Sequence, residues 1–313
     1  MPRSMSEHVP TLSAMAVETD AFARAIATAY ERYGFVVIAD HGIEQRLIDE
    51  CLAVYQAFFA LPDEVKRRYH VPGGGGARGY TPFGIETAKG ATHHDLKEFW
   101  HVGRELPAGH PYTAAMPPNL WVAEVPLFRE RTLALWQAFD SLGRRLLGAI
   151  ARALALPRDY FEDKVNLGNS VLRVLHYPPV AGESASVRAG EHEDINVITL
   201  LLGAEEPGLE IRTREGAWLP VNPLAGSIVC NVGDMLQRLT NGVLRSTTHR
   251  VVNPAPERAG RSRWSLPFFL HFNPDFEIRT LPSCISADTP DRFPEPITAD
   301  AYLLQRLKEI RLL

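Results

Sequence analysis

"GEHEDINVITLLL", residues 190–202, sets one histidine and three acids, Glu191, Glu193 and Asp194, at the mouth of an apolar run. The run reads as a buried strand. A cluster that can carry charge has two explanations there: a surface loop that happens to precede a strand, or a metal site. His192 and Asp194 are two residues apart. On an extended chain residues i and i+2 face the same way, so both side chains can point at one ion. Glu193 then points away and is a poor third ligand. A lone H-x-D is weak, and a second one stands at His93 and Asp95 in "THHDLKEFW".

A third ligand separates the two. His249, in "STTHRVV", lies on a β-branched, alternating segment that reads as a half-buried strand. A lone histidine there is more often a core residue, but with His192 and Asp194 it completes two imidazoles and a carboxylate. Such a set makes a facial triad with open positions on non-haem Fe(II). Zinc accepts the same donors, so the ligands alone do not name the metal. His93 and Asp95 have no matching third ligand and read as loop residues.

The turn-rich "NPAPERAG" follows, and then "RSRWSLPFF". If "STTHRVV" and this strand form a hairpin, His249 faces Arg263, and cross-strand partners share a face. Arg263 then enters the same cavity, with Ser265 two residues on. No acid in this segment is an obvious partner for a buried arginine, which needs an anion. A small dicarboxylate that chelates the metal at one end and meets Arg263 at the other satisfies both, and the guanidinium fork suits a carboxylate.

Around this cluster the chain changes character near residue 168. Before it, helical periodicity dominates. "ETDAFARAIATAYERYG" places Phe22, Ile26, Ala29, Tyr30 and Tyr33 on one face, with Gly34 as a stop. "GFVVIADHG" reads as a short strand. "IEQRLIDECLAVYQAFFALP" reads as a second amphipathic helix, and a third spans about Pro126 to Leu156, with Pro157 as its stop. From Ser170 on, "SVLRVLHY", "NVITLLL", "GLEIRT", "AWLPV", "GSIVCNVG", "STTHRVV" and "SRWSLPFFLHF" read as strands between Gly/Pro turns. This pattern predicts a double-sheet jelly-roll barrel with packed N-terminal helices, an α+β fold closed by the helix "ADAYLLQRLKEIRLL". Residues 70–122, rich in Gly, Pro and His, read as long loops. The expected division is a helical region with loops over 1–122 and a helix plus jelly roll over 123–313, sharing one core.

Bulk properties narrow the function. The chain has 313 residues, a formal net charge of −4 and a pI near 6.3, so nothing points to nucleic acid or an anionic membrane. Neither an apolar stretch of spanning length nor the apolar core of a secretory signal stands out. Cys51, Cys230 and Cys284 are far apart and read as small buried hydrophobes, which fits a reducing cytoplasm. "GGGGARG" holds G-x-G-x-x-G through Gly74, Gly76 and Gly79, but no strand leads in and no helix start follows, so it reads as a loop and not a phosphate cradle. "DEVKRR" reads as a solvated helix end.

The order His192-Glu193-Asp194, then His249, then Arg263-Trp264-Ser265 resembles the site signature of the 2-oxoglutarate and Fe(II)-dependent dioxygenases, in the branch that includes isopenicillin N synthase. "LRVLHYPP", "GLEI", "GSIVCNVGDMLQRLTNG", "STTHRVVNP", "GFVVIADHGI", "FFALPDEVK" and "GARGYTPFGIE" are similar to the same branch, from about residue 9 to the end. The resemblance implies that His192, Asp194 and His249 hold Fe(II). Arg263 and Ser265 then hold the distal carboxylate of 2-oxoglutarate, joined by Tyr177 of "HYPP". Leu175 stands where plant members often have Asn. By resemblance, O2 and 2-oxoglutarate are consumed, succinate and CO2 are released, and a small organic substrate is hydroxylated, desaturated or cyclised. Arg78, Tyr80 and the loop through Phe99 are candidate substrate contacts. Two other classes remain to be separated: an oxidase in which Arg263 binds the substrate itself, and a non-enzymatic barrel that binds a metal or small molecule.

Overall fold

The computed structural model describes residues 7–85, 97–179, 189–203, 208–252 and 262–309. Helix α1 (Asp20–Arg32) starts where Thr19 accepts a hydrogen bond from Phe22 N at 3.2 Å, and it buries Phe22, Ile26, Ala29 and Tyr30. Beyond its cap at Tyr33 the chain turns at Gly34, whose φ of +69° suits glycine. A side chain there would also collide with Thr247, since a Cβ would lie 2.3 Å from its Oγ1. Helix α2 (Gln45–Phe59), the short α3 (Asp63–Lys66) and the long α4 (Phe128–Ala153) complete the N-terminal layer.

The major sheet has eight strands in the order β1-β2-β10-β7-β12-β5-β4-β3. They are β1 (Thr11–Ser13), β2 (Phe35–Ala39), β3 (Gly79–Thr81), β4 (Glu98–Gly103), β5 (Val171–Tyr177), β7 (Ile198–Leu202), β10 (Ile228–Val232) and β12 (Arg263–Leu270). The minor sheet runs β6-β11-β8-β9, made of β6 (Ala189–His192), β8 (Leu209–Arg212), β9 (Trp218–Pro220) and β11 (His249–Val251). Helix α6 (Asp234–Leu239) follows β10, after the short α5 (Glu162–Val165), and α7 (Ala299–Glu309) lies at the C-terminal end. The architecture is the expected α+β jelly roll with packed N-terminal helices.

The period of two divides the major sheet into two faces. Its even-numbered positions on β4, β5, β7 and β12, among them Trp100, Leu172, Leu200, Phe268 and Leu270, join the core shared with α1, α2 and α4. Phe139 of α4 stacks on Phe268 at 5.5 Å, and Gly143 leaves room for Leu270. Truncating a ring buried like Phe268 costs about 3–5 kcal/mol. The odd-numbered positions, Phe99, Arg173, Leu175, Tyr177, Thr199, Arg263 and Ser265 among them, face the interior between the sheets.

Several expectations are corrected. Residues 70–122 are not all loop, because β3 and β4 pair with each other and β4 pairs with β5. Their turn-rich flanks hid two short strands whose periodicity spans too few residues to read. "DEVKRR" is not simply solvated: Lys66 is buried and bonds Glu98 at 3.1 Å. The hairpin register is also wrong. β11 pairs with β6 and β8, whereas β12 pairs with β5 and β7, so His249 and Arg263 lie on different sheets. The connection over 253–261 and the pair His93 and Asp95 lie outside the described residues. Among the described residues all three cysteines are buried and free, and no helix is long and apolar enough to cross a membrane.

Candidate metal centre

His192 ends β6 and His249 begins β11, and the two are register partners. Cross-strand partners share a face, so the imidazoles meet at a centroid separation of 4.3 Å. Asp194 arrives differently from the expected i, i+2 strand pair. It lies past the end of β6, in the loop before β7, where its carbonyl accepts Asp234 N at 2.7 Å. Glu193 points away as expected and accepts from Thr248 Oγ1 at 2.9 Å. One donor atom from each of His192, Asp194 and His249 lies within 4.8 Å of the others, which is the reach of one shared cation.

The hydrogen bonds decide which atoms are offered. A carbonyl can only accept, so His192 Nδ1–H donates to Gly190 O at 2.7 Å and His249 Nδ1–H donates to Thr247 O at 3.0 Å. Both Nε2 lone pairs are thereby left for a cation. Asp194 Oδ2 accepts from Thr199 Oγ1 at 2.6 Å and from Asn231 Nδ2 at 2.7 Å. Oδ1 is the oxygen that faces both imidazoles, 3.9 Å from each Nε2.

The electrostatics match. Desolvation, and repulsion from His249, pull His192 down to about 4, although its ring edge still opens to solvent at the mouth, so it is neutral at neutral pH. Burial pushes the Asp194 carboxyl up, but His249, His192, Asn231 and Thr199 together outweigh it and leave it below the usual range. A neutral His192 and an ionised Asp194 are protonation states that binding a divalent ion requires.

Thr199 and Asn231 were not singled out from sequence. Each was visible as a lone polar residue inside an apolar strand, in "VITLLL" and "SIVCNVG". Asn196 adds a further link, donating to Thr199 Oγ1 at 3.0 Å.

Arg263 is buried at the start of β12, a central strand and not an edge. It is the register partner of Tyr177, with its guanidinium carbon 5.7 Å from that ring. Ser265, the next inward position, is paired with Leu175. The candidate substrate contacts separate by face. Tyr80 turns to the helical side and donates to Glu98 Oε2 at 2.5 Å. Phe99 faces inward with Leu175 and Tyr177. A surface groove of about 470 Å³ beside Arg144 and Arg158 lies along α4, away from the triad, and Arg144 there is already paired with Asp140 and Glu162.

A two-histidine, one-carboxylate group inside a jelly roll fits the donor set of the non-haem iron class of protein. Comparison with known proteins gives the family. Residues 9–124 match the model of the non-haem dioxygenase in morphine synthesis N-terminal region, and residues 168–272 match that of the 2OG-Fe(II) oxygenase superfamily. The chain is similar to the 2-oxoglutarate-Fe(II) type oxidoreductase hxnY of Emericella nidulans, at 34% identity over 86% of this chain and 79% of that protein. It is also similar to a crystal structure of a 2OG-Fe(II) oxygenase family protein from Caulobacter crescentus, with 54% identity, TM-score 0.92 and coverage of 96% and 99%. A third similarity is to the crystal structure of a full-length Neurospora crassa protein in complex with alpha-KG and thymine, at 29% identity and TM-score 0.85 over 96% of each chain. The chain belongs to the 2OG-Fe(II) oxygenase superfamily. It is an Fe(II)- and 2-oxoglutarate-dependent dioxygenase that uses O2 as cosubstrate.

Proposed function

We propose that His192, Asp194 and His249 are the Fe(II) ligands of this dioxygenase. Arg263 and Ser265, with Tyr177, would hold the distal carboxylate of 2-oxoglutarate. The observation that carries the assignment is the division of labour at Asp194: Oδ2 is tied to Thr199 and Asn231, while Oδ1 faces both Nε2 atoms. The bound iron supplies open coordination positions and the redox chemistry of oxygen activation. The chain's own residues fix the imidazole tautomers, hold Asp194 ionised and line the space between the sheets. Arg263 offers a buried, planar fork for a carboxylate.

The substrate is a small organic molecule, hydroxylated by default. The Neurospora crassa protein in complex with thymine, and JOX2 in complex with 2OG, Fe and JA, are relatives whose bound molecules are of that size. The order of motifs supports the isopenicillin N synthase-like branch. The division into 1–122 and 123–313 over one core is supported by the two matched regions and by the apolar cluster that draws from both. The acidic balance and the three buried thiols fit a cytoplasmic enzyme without a nucleic-acid or membrane partner.

The test is anaerobic loading with Fe(II), then air, with and without 2-oxoglutarate, while succinate and CO2 are measured. Both products are expected, at a slow rate even without substrate. Oxygen consumption with no succinate under any condition would overturn the assignment of Arg263 to 2-oxoglutarate.

A further inference from the structure

One interior row of the major sheet joins the triad to a buried cation that the assignments above leave without a task. Asn231, Thr199, Phe269, Val171 and Gly103 are consecutive register partners across β10, β7, β12, β5 and β4. Asn231 and Thr199 hold Asp194 at one end. At the other end the guanidinium of Arg78 covers Gly103 so closely that a Cβ there would lie 2.0 Å from Nη2. Three strand spacings separate Thr199 from Gly103, roughly 14 Å. The side chains between them are Phe269 and Val171, an apolar floor about as long as a small organic molecule.

Arg78 is 5% exposed. Nη1 donates to Ala77 O at 2.7 Å and Nη2 to Asn169 Oδ1 at 3.1 Å, both neutral acceptors. Among the described residues, its Nε has no hydrogen-bond partner and no carboxylate pairs with it. Among the described residues, five N–H donors are served by two neutral oxygens, which leaves a buried cation short of a counter-charge there. Desolvation alone lowers its pKa to about 10, which keeps it charged at neutral pH. His271, the next interior position on the β12 side, is 8% exposed and is held near 4 by burial, so it adds no competing charge. The neighbouring Arg173 is engaged otherwise: it donates to His101 Nε2 at 2.5 Å and lies over the rings of Phe99 and Phe269.

We propose that the primary substrate carries a carboxylate, that Arg78 receives it, and that the carbon skeleton lies along Val171 and Phe269 toward the triad. The proposal deepens the oxygenase assignment and rests on it. It gives a substrate class, small organic monoanions with an apolar body, and it makes Arg78 the residue that selects for the acid over its neutral amide.

The test uses the full chain with Zn(II) in place of iron and saturating 2-oxoglutarate, so that Arg263 is already served. The probes are acetate and benzoate, with benzamide and chloride as controls. The readout is the ¹⁵N–¹H resonance of Arg78 Nε, assigned by its disappearance in Arg78→Gln. Both acids are expected to move it saturably, and benzamide and chloride are not. Benzoate affinity, followed calorimetrically, is expected to fall roughly tenfold or more in Arg78→Gln and less in Arg78→Lys. Gly103→Ala, which displaces the guanidinium while keeping it, is expected to weaken benzoate as well. No saturable response to either acid, an equal response to benzamide, or unchanged benzoate affinity in Arg78→Gln overturns the proposal. Failure of the oxygenase assignment would show separately, as the absence of a metal-to-ligand charge-transfer band for Fe(II) and 2-oxoglutarate in the wild type.

Discussion

Asn231 Nδ2 donates to Oδ2 of Asp194 at 2.7 Å, and this bond selects the carboxylate oxygen that is left for a cation. Asn231 sits on β10 and Asp194 on the loop before β7, so strand pairing, together with Thr199 five residues on, sets the orientation of a candidate ligand. Asn231→Ala keeps all three candidate ligands but frees the carboxylate to rotate. Metal affinity is expected to fall about ten- to a hundred-fold, as for other outer partners of metal ligands. Calorimetric titration of the variant with Zn(II) measures it. Affinity equal to the wild type would show that Thr199 alone suffices.

His192 gives a pH signature in the metal-free protein. Its folded pKa is lowered to about 4, while the unfolded chain protonates at the ordinary value near 6.5. The unfolded state therefore binds the proton first, so His192 contributes a loss of stability as pH falls from about 6.5 toward 4 and no such loss above it. Metal binding needs the neutral ring, so His192 itself does not limit it until about pH 4. The imidazole Cε1–H shift, followed by NMR against pH, is expected to titrate near 4. A midpoint near 6.5 would mean that neither desolvation nor the facing His249 acts on the ring.

Lys66 and Glu98 form a pair with side-chain exposures of 7% and 2%, bridging α3 and β4. Tyr80 Oη and His176 Nδ1 also bond Glu98, so one carboxylate ties the helical layer to the sheet that carries Tyr177. Lys66→Met removes one partner and leaves a buried charge. A loss of about 3–5 kcal/mol is expected, reduced by the two remaining bonds, and the double variant with Glu98→Gln is expected to recover part of it. The shift of the urea midpoint reads this out. A change under about 0.5 kcal/mol in the single variant, the range of ordinary surface substitutions, would contradict the burial of the pair.

The jelly roll was legible because its strands from Val171 on alternate or run apolar between Gly/Pro turns, and each bounded run became a strand. The triad was legible as residue types in order, but strand geometry places only His192 and His249. His192 lies on a strand, whereas Asp194 reaches the same point from a loop held by the amide of Asp234. β3 and β4 were hidden because a strand of three residues, Gly79–Thr81, shows no period, and its partner follows a turn-rich segment. The hairpin of His249 with Arg263 failed for a general reason. In a double-sheet barrel a turn can carry the chain from one sheet to the other, and sequence proximity then says nothing about pairing. Arg263 still faces inward, because the alternation of β12 fixes its face whichever strand it pairs with.

Arg263 is the residue proposed to receive the distal carboxylate of 2-oxoglutarate in this enzyme. It is 3% exposed and lies beside Tyr177, with Ser265 at the next inward position, so the three form one polar patch on the interior of β12 and β5. A charge-assisted hydrogen bond to a carboxylate is worth roughly 1.5–3 kcal/mol, or about a ten- to hundred-fold change in affinity. Arg263→Lys keeps the charge and loses the fork, so it is expected to weaken 2-oxoglutarate binding less than Arg263→Ala. Both variants are expected to bind metal normally, because the guanidinium is not a donor to the group formed by His192, Asp194 and His249. The charge-transfer absorbance of the anaerobic Fe(II) protein, titrated with 2-oxoglutarate, gives the midpoint for each. An unchanged midpoint in Arg263→Ala would move the distal carboxylate elsewhere, and Arg78, the other deeply buried interior guanidinium, would be the first place to look.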